Sequence, residues 1–249
     1  MEMRITSRKN PYLQQVKKLL ASRKEREEAG LFVADGTKLL QEAVQFWPGL
    51  ETVILSDGVQ ADVPEHVRVL RVPADVMESV SPMASPQGAV FVCRLPEKTP
   101  FVPRKPMLLL DGVQDPGNLG TILRTADALG VRVALLEGCA DPYSHKVVRA
   151  SMGAVFRTPV VQTTWLEAKA ALVAAGIPVA VTALSDRACD IRRADVPSMA
   201  VVIGSEGQGV RREVLEAADA ELIIPMQAHC ESLNAAVAAA IVAWEMKQI

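Results

Sequence analysis

The chemistry-bearing residues cluster most densely between Leu108 and Gly130: Leu-Leu-Leu-Asp111-Gly-Val-Gln-Asp-Pro-Gly-Asn118-Leu-Gly120-Thr-Ile-Leu-Arg124-Thr-Ala-Asp-Ala-Leu-Gly130. The apolar run reads as a buried strand. It breaks at a loop holding Gly112, Pro116 and Gly117, and a helix follows. In that helix Leu119, Ile122, Leu123, Ala126 and Leu129 recur at i, i+3, i+4, i+7 and i+10, which makes one buried face. Gly130 sits where a left-handed residue would cap it. Arg124 falls off the apolar face, one turn beyond Gly120. A bare-backbone turn that feeds a helix start is suited to holding polar ligands.

Two later segments carry similar chemistry. Gly204-Ser-Glu206-Gly207-Gln-Gly209 follows the apolar Val201-Val-Ile. Its glycines would let loop backbone approach a ligand closely, but the spacing is not the Gly-x-Gly-x-x-Gly of a dinucleotide fingerprint. The other is Ile223-Ile224-Pro225-Met226, then Glu231-Ser232-Leu233-Asn234 ahead of an alanine-rich run. Taken singly, each polar residue has an ordinary reading. A helical arginine is usually solvated, Glu206 suits the start of a helix, Ser232 reads as an N-cap, and Asn234 fits a first turn.

In order and spacing the three segments resemble the motifs of the SpoU/TrmH family of RNA ribose 2′-O-methyltransferases, over about residues 106–249. Arg149-Ala-Ser151-Met-Gly153-Ala154 resembles a further family segment. The resemblance implies methyl transfer from S-adenosyl-L-methionine to a ribose 2′-hydroxyl. It implies a SPOUT-like fold whose chain threads a trefoil knot, and pairing as a homodimer across the knotted region. Arg124 matches the arginine associated with activating the hydroxyl. Asn118 and Glu206 would position Arg124 or the ribose, and Ser232 and Asn234 would close the site or hydrogen-bond the cofactor and substrate. Leu184, Gly204, Ile224, Met226 and Leu233 would line the cofactor. A guanidinium, with a pKa above about 12, is a poor general base, so Arg124 serves as a base only if its site changes that strongly; otherwise it orients the hydroxyl and binds phosphate. The chain departs from the family at Ala228, where a glycine is common, and at Ala235-Ala236, where Val-Ser is common.

The elements that must position these groups alternate strand and helix: strand 107–111, helix 118–129, strand 131–136, helix near 145–152, strand near 158–162, helix 165–175, strands 178–183 and 200–203, helix 210–217, strand 221–224 and helix 232–247. Such alternation predicts an α/β fold, a mostly parallel sheet with helices on both faces. The last helix is apolar nearly all round and must be buried in the protein or against a partner.

The proline-dense 96–106 reads as a linker. It separates residues 1–95, a smaller α/β unit, from the methyltransferase-like 107–249. In the first half, helices are expected over Pro11–Lys24, Thr37–Phe46 and Pro73–Val80, with strands at Leu31–Val33, Val53–Leu55, Val67–Leu70 and Gly88–Cys93. Ser7, Asn10-Pro11, Arg23-Lys24-x-Arg26, Phe32-Val-Ala-Asp35-Gly36 and Glu42-Ala43 resemble the ribosomal-protein-like substrate-binding domain often fused ahead of this catalytic domain, with Asp35 where Glu is usual. Charge alone leaves the basic N-terminus equally a solvated face or a phosphate surface. The resemblance favours RNA contact by Lys9, Arg23, Lys24 and Arg26, with Arg149 as a further contact.

The 249 residues are 49% hydrophobic and 22% charged, which suits a folded core, and the net charge of −2 argues against a generally sticky nucleic-acid binder. Cys93, Cys139, Cys189 and Cys230 show no Cys-x-x-Cys pair; with three histidines, no zinc spacing emerges. They read as small buried residues in a reducing cytoplasm. No signal peptide or membrane span is expected. The substrate is expected to be rRNA, with tRNA the runner-up. A catalytically idle RNA-binding or ribosome-assembly protein is the alternative of another class, and a nicotinamide dehydrogenase ranks last.

Overall fold

The computed structural model describes residues 3–158, 160–227, 229–230 and 232–247. The Ala228 departure lies outside the described residues. Contacts divide the chain into two units, 1–97 with 141–159 and 98–140 with 160–249. In chain order the first unit opens with β1 (Met3–Arg4), α1 (Pro11–Ala21), α2 (Arg23–Ala29), β2 (Leu31–Asp35), α3 (Thr37–Phe46), β3 (Leu50–Ser56), β4 (Arg68–Val72), α4 (Ala74–Val80) and β5 (Ala89–Arg94). The second unit begins with β6 (Met107–Leu110), α5 (Pro116–Leu129) and β7 (Arg132–Leu135). The chain then contributes α6 (His145–Ala150) and α7 (Ala154–Arg157) to the first unit. It closes the second with β8 (Val161–Gln162), α8 (Trp165–Ala174), β9 (Val179–Thr182), β10 (Cys189–Asp190), β11 (Ala200–Ile203), α9 (Arg212–Leu215), β12 (Ala220–Ile223) and α10 (Ala235–Met246).

In the first unit the helix expected over Pro11–Lys24 is two helices. Ser22 is extended, its N–H donates to the Lys18 carbonyl, and its hydroxyl accepts from the Glu25 amide. One serine thus ends α1 and caps α2, which then stops at Gly30 with φ 65°. The sheet runs β1-β4-β3-β5-β2, with β5 antiparallel to both neighbours. One face buries Val33, Ile54, Leu70 and Val90 with Leu13, Val16 and Leu19 of α1 and Val76 and Val80 of α4.

Alternation puts Phe32 and Phe91 on the opposite face. Tyr143 and Phe156 cover them there: Phe32 lies 5.1 Å from Tyr143 and 6.2 Å from Phe156, ring centre to ring centre, and Phe91 lies 6.1 Å from Phe156. Each such pair adds about 0.5–1.5 kcal/mol beyond its buried area. Residues 141–158, placed by sequence order in the second half, are therefore built into the first unit's core.

The second unit has a seven-stranded sheet, β10-β12-β9-β11-β6-β7-β8, with every pairing parallel. Met107 to Leu110 are all buried, because both faces of β6 are covered. Met107 and Leu109 pack with Trp165 and Leu172 of α8 and Val214 of α9. The alternate residues face the side where α10 touches β6 and β11. A parallel sheet gathers the loops after all its strands on one edge. β6 and β11 are neighbours whose chains depart in opposite directions, the switch point where open α/β sheets form a crevice.

Candidate active site

The first-motif helix starts at Pro116, two residues earlier than expected. Asp115 is its N-cap, accepting from the Asn118 amide at 2.8 Å, and proline occupies the first turn. The Asp-Pro pair was a readable signal for that start. Gly130 ends the helix at φ 70°, as expected. Leu119, Ile122, Leu123 and Ala126 are buried as expected, whereas Leu129 is only partly buried.

The last helix starts later than expected, at Ala235. Asn234, not Ser232, is the N-cap, and its Oδ1 accepts from the amides of Ala236 and Val237. Nor is this helix buried all round: Val237 is 49% and Trp244 68% exposed.

The second-motif loop is closed on itself. Ser205 and Gly209 exchange two backbone hydrogen bonds of 3.0 Å. A Cβ on Gly204 would stand 2.1 Å from the Gly209 carbonyl carbon, so the turn admits only glycine there. The open end of this loop carries Glu206, which is exposed.

Three motifs far apart in sequence meet through one chain of hydrogen bonds. Asn118 Nδ2 donates to Glu206 Oε1 at 2.6 Å, and Asn234 Nδ2 donates to Asn118 Oδ1 at 2.9 Å. Both amide orientations are forced. A carboxylate only accepts, so Asn118 must present its nitrogen to Glu206 and its oxygen to Asn234. The Asn234 oxygen is engaged by α10, so its nitrogen faces Asn118. The relay ends on the positive pole of α10.

Asn118 and Asn234 also border a groove of about 740 Å³ between α5 and α10, lined further by Arg124, Thr125, Val237 and Trp244. Arg124 is exposed on its wall, and among the described residues it has no hydrogen-bond or ion-pair partner. Ser232 is exposed on the loop before α10 and takes no part in the relay.

The expected cofactor residues emerge from the same sheet edge. Leu184 follows β9, Gly204 follows β11, and Ile224 and Met226 follow β12; β9 lies between the other two strands. Leu184 is 62% and Leu233 36% exposed, while Ile224 and Met226 are partly buried. Gly207 and Gly209 face open space, with nothing within 4 Å of a Cβ there. Apolar side chains left open beside bare backbone fit an adenosyl group, which needs flat apolar walls and amide or carbonyl partners.

In the first unit Lys9, Arg23 and Lys24 are exposed, Arg23 pairing with Glu27 and Lys24 with Glu28 on α2. Arg26 differs. It is 5% exposed, its Nη2 is 2.6 Å from Asp141, and it donates to the Leu19 carbonyl. Its expected role as an RNA contact is corrected to that of a buried structural ion pair, because Asp141 and the end of α1 already satisfy its donors. Arg149 is half-exposed, 3.9 Å from the buried Asp35. Burial raises the Asp35 pKa, while Arg149 and His145 oppose the rise.

The cysteines also differ from expectation. Cys93 is buried and Cys139 partly so, but Cys189 and Cys230 are exposed. Among the described residues no group of side chains could hold a metal ion, and no helix is long and apolar enough to cross a membrane. Sequence reasoning overlooked Asp111, Glu137 and Arg211, which join the loops around the site. A carboxylate closing the apolar run Leu108–Leu110 was the available signal.

Residues 105–244 match the SpoU rRNA Methylase family, and residues 10–90 match the MRM3-like substrate binding domain. The chain is 36% identical over 247 residues to the 23S rRNA (guanosine(2553)-2′-O)-methyltransferase RlmP of Bacillus subtilis, covering 98% of each. An AdoMet-bound rRNA methyltransferase from Sinorhizobium meliloti superposes with a TM-score of 0.87 at 30% identity, covering 99% of this chain and 97% of that one. AviRb from Streptomyces viridochromogenes, a SpoU methyltransferase solved with AdoMet, gives 0.82 at 28% identity, covering 96% and 97%. Domain matches, full-length similarity and the meeting of the three motifs agree: the chain belongs to the SpoU rRNA methylase family.

Proposed function

We propose that this protein transfers the methyl group of S-adenosylmethionine to a ribose 2′-hydroxyl of ribosomal RNA, and that it works in the cytoplasm. The relay from Asn234 through Asn118 to Glu206, beside Arg124, carries the reading. It fixes polar groups from three motifs in one place, and the full-length relatives include enzymes of this reaction.

Leu184, Gly204, Ile224, Met226 and Leu233 would hold the cofactor, whose sulfonium supplies an electrophilic methyl group. Arg124 would orient the 2′-oxygen and stabilise the negative charge that builds on it as its proton leaves. Asn118 keeps the start of α5 tied to Glu206 and to α10, so the hydroxyl meets pre-set dipoles rather than mobile water. Lys9, Arg23, Lys24 and Arg149 would contact RNA phosphates.

The groove between α5 and α10 would receive a second copy of the chain. Val237 and Trp244 leave apolar surface that a two-fold interface would cover. The knotted threading implied by the family belongs to this same reading. The test is ribose-methylation mapping of total RNA with and without the protein. Loss of one rRNA 2′-O-methyl mark, restored by the wild-type protein, is the expected result; an unchanged rRNA map with a lost tRNA mark would redirect the substrate, and no change in either would refute the activity.

A further inference from the structure

A second polar constellation occupies the same strand ends, and the chemistry above does not use it. Asp111 follows β6 with its side chain 0% exposed. Arg211 holds both its oxygens: the backbone amide donates to Oδ2 at 2.8 Å and Nε to Oδ1 at 2.6 Å. The same guanidinium reaches Glu137, beyond β7, at 2.8 Å and Glu213 of α9 at 3.0 Å. Glu137 also accepts from the Trp165 amide at the start of α8. One arginine thus joins the loops after β6, β7 and β11. A buried carboxylate without its counter-charge is strongly unfavourable, so Arg211 is fixed where Asp111 is.

The loop between these anchors is the one that carries Glu206. Its start is pinned by the bond from the Asp111 amide to the Ile203 carbonyl, 2.8 Å, and by the tight fit of Gly204 on Gly209. Its end is pinned by Arg211. Glu206 stands at the open tip, five positions before Arg211, and its contact with Asn118 spans 88 residues of sequence. Between the anchors the tip is braced by the Ser205–Gly209 pair and by the Gln208 amide, which donates to Ser205 Oγ at 3.2 Å.

We propose that Arg211 is a positioning residue for methyl transfer: by gripping buried Asp111 together with Glu137 it sets the Gly204–Val210 loop so that Glu206 meets Asn118. This rests on the methyltransferase reading. In methyl transfer Arg211 acts through Glu206, so the dependence of its effect on Glu206 separates this role from its support of the fold.

The test is a double-mutant cycle of Arg211→Lys and Glu206→Ala, read by single-turnover methylation of an unmodified rRNA transcript and by amide hydrogen exchange across 204–210. Lysine keeps the charge but lacks the planar fork that spans two carboxylates. Arg211→Lys alone should lower the transfer rate about tenfold and speed exchange at 205–209, whereas in the Glu206→Ala background, which has no acceptor for Asn118, it should cost less than about twofold more. Full multiplication of the two losses, or unchanged rate and exchange in Arg211→Lys, overturns the proposal. If Arg211→Lys does not fold, the uncharged pair Asp111→Asn with Arg211→Met replaces it in the cycle under the same outcomes. A wild-type protein that methylates no RNA while its loop exchange still responds to Arg211 refutes the parent reading and, with it, the catalytic consequence; an active wild type indifferent to Arg211 refutes this inference alone.

Discussion

The two sheets deliver their loops differently, and one arginine in each unit shows the consequence. In the mixed sheet of the first unit, antiparallel β5 sends neighbouring loops to opposite edges. Its buried charges there serve the fold: Arg26 meets Asp141 across 115 positions and stays out of solvent. In the all-parallel sheet of the second unit every strand ends on one edge. Asn118, Glu206 and Asn234 converge there, and Arg124 is left exposed beside them. Two arginines, each on a helix beside a sheet, thus have different fates. One is satisfied by its own chain, and the other is available to a substrate.

Substitutions can break this contrast, and the largest effect is expected at Arg124. Arg124→Ala should lower methyl transfer by at least about 1,000-fold, leaving cofactor affinity and melting temperature close to wild type, because no partner among the described residues loses a bond. Calorimetric titration with S-adenosylmethionine beside a transfer assay checks both halves; wild-type turnover would remove Arg124 from the mechanism. Arg26→Met should do the reverse. It strands Asp141 in the first unit and should cost about 3 kcal/mol of stability in denaturant unfolding. A variant as stable as wild type but impaired in RNA binding would return Arg26 to the RNA surface.

Asn234 sharpens the comparison, since it serves both the fold and the site. Asn234→Ala should cost about 1 kcal/mol as a lost helix cap and also slow transfer. Asn234→Asp keeps an acceptor for the Ala236 and Val237 amides but turns a carboxylate oxygen toward Asn118 Oδ1. It should retain the stability and still slow transfer; equal stability with full activity would show that the relay is dispensable.

The smallest effect is expected at Asp35. Burial raises its folded-state pKa, so between the unfolded value of about 3.9 and the folded value the native state binds more protons. Its contribution to stability therefore falls as pH rises through that window. Asp35→Asn removes this loss, so the variant should gain on wild type as pH climbs from 4. Melting curves across pH check the sign, and a gain that grows toward acid would contradict it.

The second unit was largely legible from residue order. Its strands and helices alternate with strong periodicity, and the motif glycines mark their own turns, so α5, its cap at Gly130 and the parallel sheet were readable. Partners set by tertiary contact were not. The apolar pattern of Tyr143 and Phe156 shows that they are buried, not which sheet they cover. Nothing local in Arg23-Lys24-x-Arg26 marks the third cation as the buried one. Asn234, not Ser232, caps the helix, and its side chain answers to Asn118 as well as to the helix amides. Arg211 looks like any basic residue ahead of a short helix until Asp111 lies against it.

The account depends on three distant loops sharing one ligand. Amide hydrogen exchange with and without S-adenosylmethionine measures that directly. Slowed exchange together in 204–210, 224–227 and 233–237, with no change across residues 11–94, is the predicted result; protection confined to one of those loops, or falling on residues 11–94 instead, would contradict it.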